Sequence, residues 1–548
     1  MKSINSTIIE KLNKTEHFGL RYDNGRSILW DINAPGLHVL PVSYHFLKFT
    51  GEKGKWSLLY HGFTGDFFEK VFDILNRAGL TEEIAPEIWG YIKKLNKYAG
   101  TNTNPEIKAN TNVQLFTFIQ DFLENILYKE YVSRTKRMVK DDQDIFKELL
   151  VAADSFVARG CDGYIQILAG YPWFDQSWCR DTFISLPGLL LVTERYEYAK
   201  SIFSCYAEMQ NREGLLPNRV FDSGLKEYNS ADCSLWFIEA LNRYHLSAKS
   251  RDADNFIKKM LPVVNEIIEC YINSSGNIYL DSDNLIAVPP RWTWMDASLS
   301  GNAITPRNGK PIEVQALFYN ALGIAGKLNC LCGNRKLAQK YDDIRRQSGR
   351  SINERFFTEQ RTYPYDVIDG DPRGDAIRPN AVFLISLSCV GDLLPQERKE
   401  AIISTIERDL LTPYGLRTLA AQDPMYIGHY NTFDPMEIKD LGYHQGTVWP
   451  YLMSHYVAAK KNVAGDKNKK AFIDEIAVKT ERLMHFVRDN ETICEVFSGN
   501  EPHMPGGAVS QAWSIGAILE IFNLINPGIE KNQVKDGEAK KTGAEGAR

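Results

Sequence analysis

The chain has 548 residues, 44% of them hydrophobic and 24% charged, with a net charge of −5. That composition is ordinary for a globular protein, and the mild negative balance offers no basic stripe for a nucleic acid or a phosphate-rich partner. No stretch approaches the roughly 20 apolar residues of a membrane span, and the first residues carry no signal-like apolar core. The nine scattered cysteines read as reduced thiols rather than a disulfide or zinc framework, so the expected location is the cytoplasm.

In chain order, the first fifty residues read as strands. "GLRYDNGRSILWDI" sets Asn24-Gly25, a type I′ hairpin signal, between runs of Ile, Leu, Tyr and Trp. From Asp66 apolar residues recur three and four apart, as helices require. Residues 101–112, "TNTNPEIKANTN", are a polar candidate linker. From about Asp144 to Leu524 about a dozen helical patterns alternate with loops, from "IFKELLVAADSFVAR" to "AVSQAWSIGAILEIF", with no short repeat. Twelve helices fit an (α/α)6 barrel, six inner helices wrapped by six outer ones. The expected fold class is therefore mainly α. Its organisation is a small N-terminal region of strands and helices (1–112), the barrel (113–528) and a disordered tail (529–548), which has no aromatic residue and a single Val.

The unusual clusters lie just before predicted helices, in loops that would feed one mouth of such a barrel. "YPWFDQSWCRD" offers Tyr171, Trp173, Trp178, Arg180 and Asp181. "LPNRVFDSGLKEYNSAD" offers Asn229 and Asp232, and "PPRWTWMDA" offers Trp292, Trp294 and Asp296. Then come Glu313 in "TPRNGKPIEVQ", His444, Gln445 and Trp449 in "LGYHQGTVWP", and Glu495 and His503 around "EVFSGNEPHMPGG". Core packing or helix capping explains any one of these. Their recurrence in loop after loop suits a sugar, whose C–H face takes aromatic rings and whose hydroxyl rim takes carboxylates, guanidinium and amides.

Glycosidic bond cleavage needs two carboxyl groups, one protonated to assist the leaving oxygen and one ionised to activate water or attack directly. Asp296, inside "WTWMDA" with Trp292 and Trp294 as neighbours, is the candidate acid, and Glu495, in the apolar "ICEVFSG", the candidate base. No HxH, HExxH, DxDxDG, GxGxxG, GxxxxGK[ST] or GxSxG pattern occurs, so neither a metal nor a cofactor is expected.

Seven motifs, six of them overlapping these clusters, in order over roughly residues 140 to 525, resemble the glucosidase domain of glycogen debranching enzymes, more narrowly the bacterial and archaeal amylo-α-1,6-glucosidase type. They are "YPWF…WCRDTFISLPGLLL", "LLPNRV…YNSADCSLWFIEALNRY", "TWMDA", "AITPRNGKPIEVQALFYNAL", "LLTPYGLRTL", "YHQGTVWPYL" and "EVFSGNEPHMPGGAVSQAWS". The resemblance implies an inverting hydrolase that removes the α-1,6-linked glucose left at a trimmed branch, with glycogen or a branched oligosaccharide as its partner. It implies that Asp296 is the acid, that Glu495 is the base, and that Arg180 and Asp181 hold the terminal sugar. It carries no second catalytic domain for glucan transfer. Two departures stand out: Cys179 replaces the Gly of the usual W-G-R-D, and the N-terminal region is short. Two other readings keep the fold: an inverting exo-glycosidase for an α-1,4-glucan, trehalose or a mannoside, and a glycan-binding barrel without turnover. Nothing in the pattern sets an oligomeric state.

Overall fold

The computed structural model describes residues 18–23, 26–31, 144–159 and 164–526, apart from 172–173, 175, 222–223, 275–276, 433, 466–468 and 491. Strands Phe18–Asp23 and Arg26–Asp31 pair antiparallel with Asp23 opposite Arg26, a register that leaves two residues, Asn24 and Gly25, as the connection. The candidate linker 101–112, both domain boundaries and the tail 529–548 lie outside the described residues.

From residue 144 the chain is helical. The helices are α1 (Asp144–Asp154), α2 (Cys179–Leu186), α3 (Tyr196–Glu208), α4 (Cys233–Ala248), α5 (Arg251–Ile272), α6 (Ile312–Leu331) and α7 (Arg335–Arg355). After them come α8 (Phe383–Ser386), α9 (Gln396–Thr405), α10 (Met436–Tyr443), α11 (Leu452–Ala464), α12 (Lys469–Asn490) and α13 (Ala512–Ile525). Six of these described helices close a ring: α2 packs on α4, α4 on α6, α6 on α8, α8 on α11, α11 on α13, and α13 returns to α2. The helices between them in sequence, α1, α3, α5, α7, α9 and α12, pack outside that ring. The fold is an α/α barrel.

Composition explains the two layers. The run "IEVQALFYNALGIAGKLNCL" of α6 is apolar almost all round and three quarters of its residues are buried, as suits an inner helix. Helix α7 buries only Tyr341, Ser348 and Ile352, and its charged remainder faces outward. Helix α5 starts where Ser250 accepts a hydrogen bond from the Ala253 backbone N–H at 3.1 Å. At the closure between α13 and the π-helical turn Pro187–Leu191, Gly188 lies against Gly516 so closely that a Cβ at Gly188 would overlap the Gly516 carbonyl.

Each inner helix begins at the same end of the ring. Arg180 and Asp181 open α2, Asp232 precedes α4, Glu313 opens α6 and Asn380 precedes α8, while Trp449 and Gln511 precede α11 and α13. Loops, hairpins and a five-stranded antiparallel sheet cover this end. The sheet runs in order Leu411–Thr412, Gly415–Arg417, Val448–Trp449, Val496–Phe497 and Pro505–Gly506.

Candidate active site

Arg180 organises the centre. Its Nε donates to both Asp232 carboxylate oxygens at 3.0 and 2.9 Å, its Nη1 to Asp296 Oδ2 at 3.2 Å, and its Nη2 to Ser230 Oγ at 3.3 Å. The guanidinium is buried and the three surrounding aspartates hold it charged. Asp232 is wholly buried, but the Asp296 side chain keeps 38% of its surface open. Asp296 is therefore the carboxyl of this group that faces solvent. Withdrawal from bulk water raises its pKa, Arg180 opposes that, and the Asp232 charge adds to the rise.

The segment bearing Asp296 is anchored on both sides. Trp294 Nε1 donates to Asn380 Oδ1 at 2.8 Å, and the Met295 carbonyl accepts from Thr305 Oγ1 at 3.1 Å. Behind it Arg307, also buried, donates from Nε to Asp366 Oδ2 at 2.6 Å, from Nη2 to Glu313 Oε2 at 2.6 Å and from Nη1 to Thr293 Oγ1 at 3.1 Å. Asn380 Nδ2 completes the chain by donating to Asp366 Oδ1 at 2.7 Å.

Glu495 is placed by the sheet rather than by a helix. It immediately precedes strand Val496–Phe497, and Val448 pairs with Phe497, which puts the Trp449 strand alongside. Its backbone N–H donates to the Ala508 carbonyl at 2.8 Å, and Ala508 N–H donates to Glu495 Oε2 at 2.9 Å. Tyr443 donates its phenolic hydrogen to Oε1. Gly507 passes with φ +69° at a point where a Cβ would overlap Glu495 Oε2, so the loop needs glycine on two counts. Burial raises the Glu495 pKa to about 7. The Tyr443 and Ala508 donors and Lys439 oppose the rise, and Asp296 adds to it. Asp181 accepts from Gln511 Nε2 at 3.3 Å. It is also pushed up to about 7, chiefly by burial, with Arg180 opposing and Glu495 and Asp296 adding. Asp181, Asp296 and Glu495 thus share one electrostatic field.

The other residues singled out in the sequence occupy distinct places. Trp178 precedes α2 with its ring under the Arg219 guanidinium, whose carbon stands 4.8 Å from the ring centroid. Its buried Nε1 has no hydrogen-bond partner among the described residues. Asn229 is exposed and accepts from Asn218 Nδ2 at 3.3 Å, and Trp292, four positions before Asp296, is half-buried. Trp294, His444, Trp449 and Tyr451 form one buried aromatic floor, edged by the half-buried Tyr443, with His444 stacking on Trp449 at 5.3 Å. Burial and the positive charges of Arg378, Arg180 and Arg307 hold the His444 pKa far below its usual value, so the ring is neutral.

Four residues spend their polar atoms inside the protein. Tyr171 donates to the Ser155 carbonyl at 2.7 Å and stacks on Phe156. Both Glu313 oxygens engage Arg307, so its carboxylate is a counter-ion supporting the Asp296 segment. Gln445 Oε1 accepts from Arg378 Nη2 at 2.7 Å, and His503 Nδ1 lies 2.9 Å from the Ser498 carbonyl oxygen. Trp173 lies outside the described residues. Cys179 needs no special backbone: it is the first residue of α2, with no positive φ, and its thiol is buried.

Ser230, Tyr443, Gln511, Arg307, Asp366 and Asn380 belong to the same constellation and were not singled out in the sequence. Ser230, Tyr443 and Arg307 could have been, because each stands inside a quoted cluster. Gln511 lies inside a quoted motif but has no aromatic or acidic residue within three positions apart from Trp513, and nothing local marks Asn380. The acidic trio Asp281, Asp283 and Asp369, close enough to suit a cation, surrounds the Lys310 ammonium at 2.8, 2.9 and 2.8 Å. Among the described residues no helix is long and apolar enough to cross a membrane.

A family model described as amylo-alpha-1,6-glucosidase matches residues 151–520. The glycogen debranching enzyme of Saccharomyces cerevisiae is 23% identical over 468 residues, which take in 65% of this chain but only 30% of that protein's length. Two solved structures from Thermus thermophilus align at a TM-score of 0.50, each over 69% of this chain and 99% of its own. One is an uncharacterized conserved protein at 12% identity. The other is a GH63 mannosylglycerate hydrolase in complex with glucose, at 11% identity. At these identities the structural likeness speaks for the fold.

Proposed function

The chain belongs to the amylo-α-1,6-glucosidase family of glycoside hydrolases, and on that premise we propose that it removes α-1,6-linked glucose from branch points of glycogen-like glucans by an inverting acid/base mechanism. The observation that carries the reading is the meeting of Asp296 and Glu495 with Arg180, Asp181 and Asp232 at the mouth of the ring, where the two carboxyls act on each other electrostatically.

In the proposed step Asp296 gives its proton to the glycosidic oxygen as the bond from that oxygen to C1 breaks. A water oxygen forms the new bond to C1 from the opposite face, and Glu495 takes the proton that water loses. Burial raises the pKa of both carboxyls, that of Glu495 to about 7, and the two differ in what opposes the rise. Glu495 receives two hydrogen bonds that favour its ionised form, while Asp296 is the carboxyl open to an incoming sugar. Arg180 and Asp181 hold hydroxyls of the terminal glucose, Trp178 and Trp292 cover its ring, and the scheme calls for no metal or cofactor.

The test compares glucose release from a singly branched limit dextrin with release from maltotriose, trehalose and mannobiose, following the anomer by NMR. Preferential cleavage of the branched substrate with β-glucose appearing first is the expected result. Preference for a linear α-1,4-glucan, trehalose or a mannoside would move the enzyme to another substrate, and binding without cleavage of any would leave a glycan-binding barrel.

A further inference from the structure

Helix α10 is short and occupies a singular position. It packs against strand Ser298–Leu299, which follows Asp296 by two residues, and it ends in Tyr443, whose hydroxyl donates to Glu495. One element therefore touches the segment of the proposed acid at one point and the carboxyl of the proposed base at another.

Tyr443 is fixed more firmly than a rim residue needs. Its ring lies 5.0 Å from Trp449, 4.8 Å from His444 and 5.9 Å from Tyr430. Its carbonyl accepts from Trp449 Nε1 at 3.2 Å and from Thr447 Oγ1. A phenol held by its ring and its backbone cannot turn away from Glu495, so its donor is pre-organised and costs little ordering when the base acts.

We propose that Tyr443 is the positioning residue of the base: its fixed hydroxyl orients the Glu495 carboxylate toward the attacking water, and α10 ties that orientation to the loop bearing Asp296. The inference rests on the acid and base roles proposed above. It adds a residue that acts through Glu495.

The groups that face Glu495 define what should change. Tyr443 and Lys439 reach it from α10, Asp296 from its own loop, Asp181 from α2, and Tyr430 stands beside it. Among the described residues only the Tyr443 hydroxyl and the Ala508 N–H donate to its oxygens. Loss of the hydroxyl removes a donor that favours the ionised carboxylate, so the base holds its proton to higher pH.

Tyr443→Phe keeps the ring in its aromatic cage and removes only the hydroxyl. The expected result is a fall in kcat of roughly ten- to a hundredfold with KM within about threefold, and a shift of the acid-side limb of kcat/KM to higher pH. Thermal unfolding verifies that the variant is folded. An unmoved limb with kcat within about twofold of wild type, or a loss confined to KM, would overturn the proposal. Infrared titration reads the same contact without turnover: the carboxyl band lost in Glu495→Gln should titrate at higher pH in Tyr443→Phe than in wild type. If wild type cleaves no glycoside, the hydrolase reading falls, while the infrared midpoint still decides whether Tyr443 sets the state of Glu495.

Discussion

Asp296 and Glu495 are held by opposite kinds of partner. Asp296 faces a cation and open space, whereas Glu495 sits deep against two neutral donors. Asp296→Asn and Glu495→Gln each remove a proton-transfer group with little change in shape, so each should lower kcat by at least about a thousandfold while sugar binding survives. Isothermal titration with an iminosugar, beside glucose-release assays, measures both. The proposed base needs to be ionised, and its pKa lies at about 7. The kcat/KM profile should therefore climb with pH through about 7, and a plateau already reached near pH 5 would contradict the buried position of Glu495. The same shifts bear on stability. Glu495 and Asp181 titrate at about 7 in the folded chain, above their ordinary 4.5 and 3.8. Folding thus favours their protonated forms, a contribution fully present below about pH 4 and lost as pH rises through about 7. Glu495→Gln deletes one titrating group, so its melting temperature should gain on that of wild type across this window and run parallel to it below. Calorimetry at a series of pH values reads the difference directly.

Helices followed the apolar period closely where the segment is long, as in α5, α6, α7 and α12. They departed from it where tertiary contacts intervene. The helical pattern through Arg159 stops at Asp154, because Val157–Arg159 pairs with Ile165–Ile167 instead. The apolar spacing of "GTVWPYLMSHYVAAKK" predicts a helix from Gly446, but the chain becomes helical only at Leu452, because Val448 and Trp449 are recruited into the five-stranded sheet that seats Glu495. Both departures lie where a loop segment is drafted into sheet beside the barrel, which local periodicity does not encode. Ring closure sets its own demand at Gly188. Gly188→Ala would force α13 away from the π-helical turn at the Gly516 carbonyl and should cost about 1–3 kcal/mol, read as a lower denaturation midpoint.

At the scale of the whole molecule, the six inner helix starts gather buried charges at one end of the ring. Arg307 is 1% exposed between Glu313 and Asp366. Arg307→Met would leave buried Glu313 without its cation and Asp366 with only Arg378, at 3.9 Å, and should destabilise the fold by about 3–5 kcal/mol in chemical denaturation. Any loss of activity would follow from slackening of the Trp294 and Asp296 segment that this network braces.

The amino-acid sequence by itself determined the helical texture, the barrel class and the loops in which the site lies, because apolar spacing and loop composition are local properties of the chain. It also carried the two carboxyls proposed for catalysis, through their aromatic or apolar neighbours and through motif resemblance. The tertiary structure alone decided which partners meet: Arg180 reaches Asp296 across 116 positions, Gln511 reaches Asp181 across 330, and Tyr443 reaches Glu495 across 52. It also paired both carboxylate oxygens of Glu313, read in the sequence as a ligand or a cap, with Arg307. Such pairings depend on where a closed ring of helices brings its ends, and no residue's immediate neighbours in the chain contain that information.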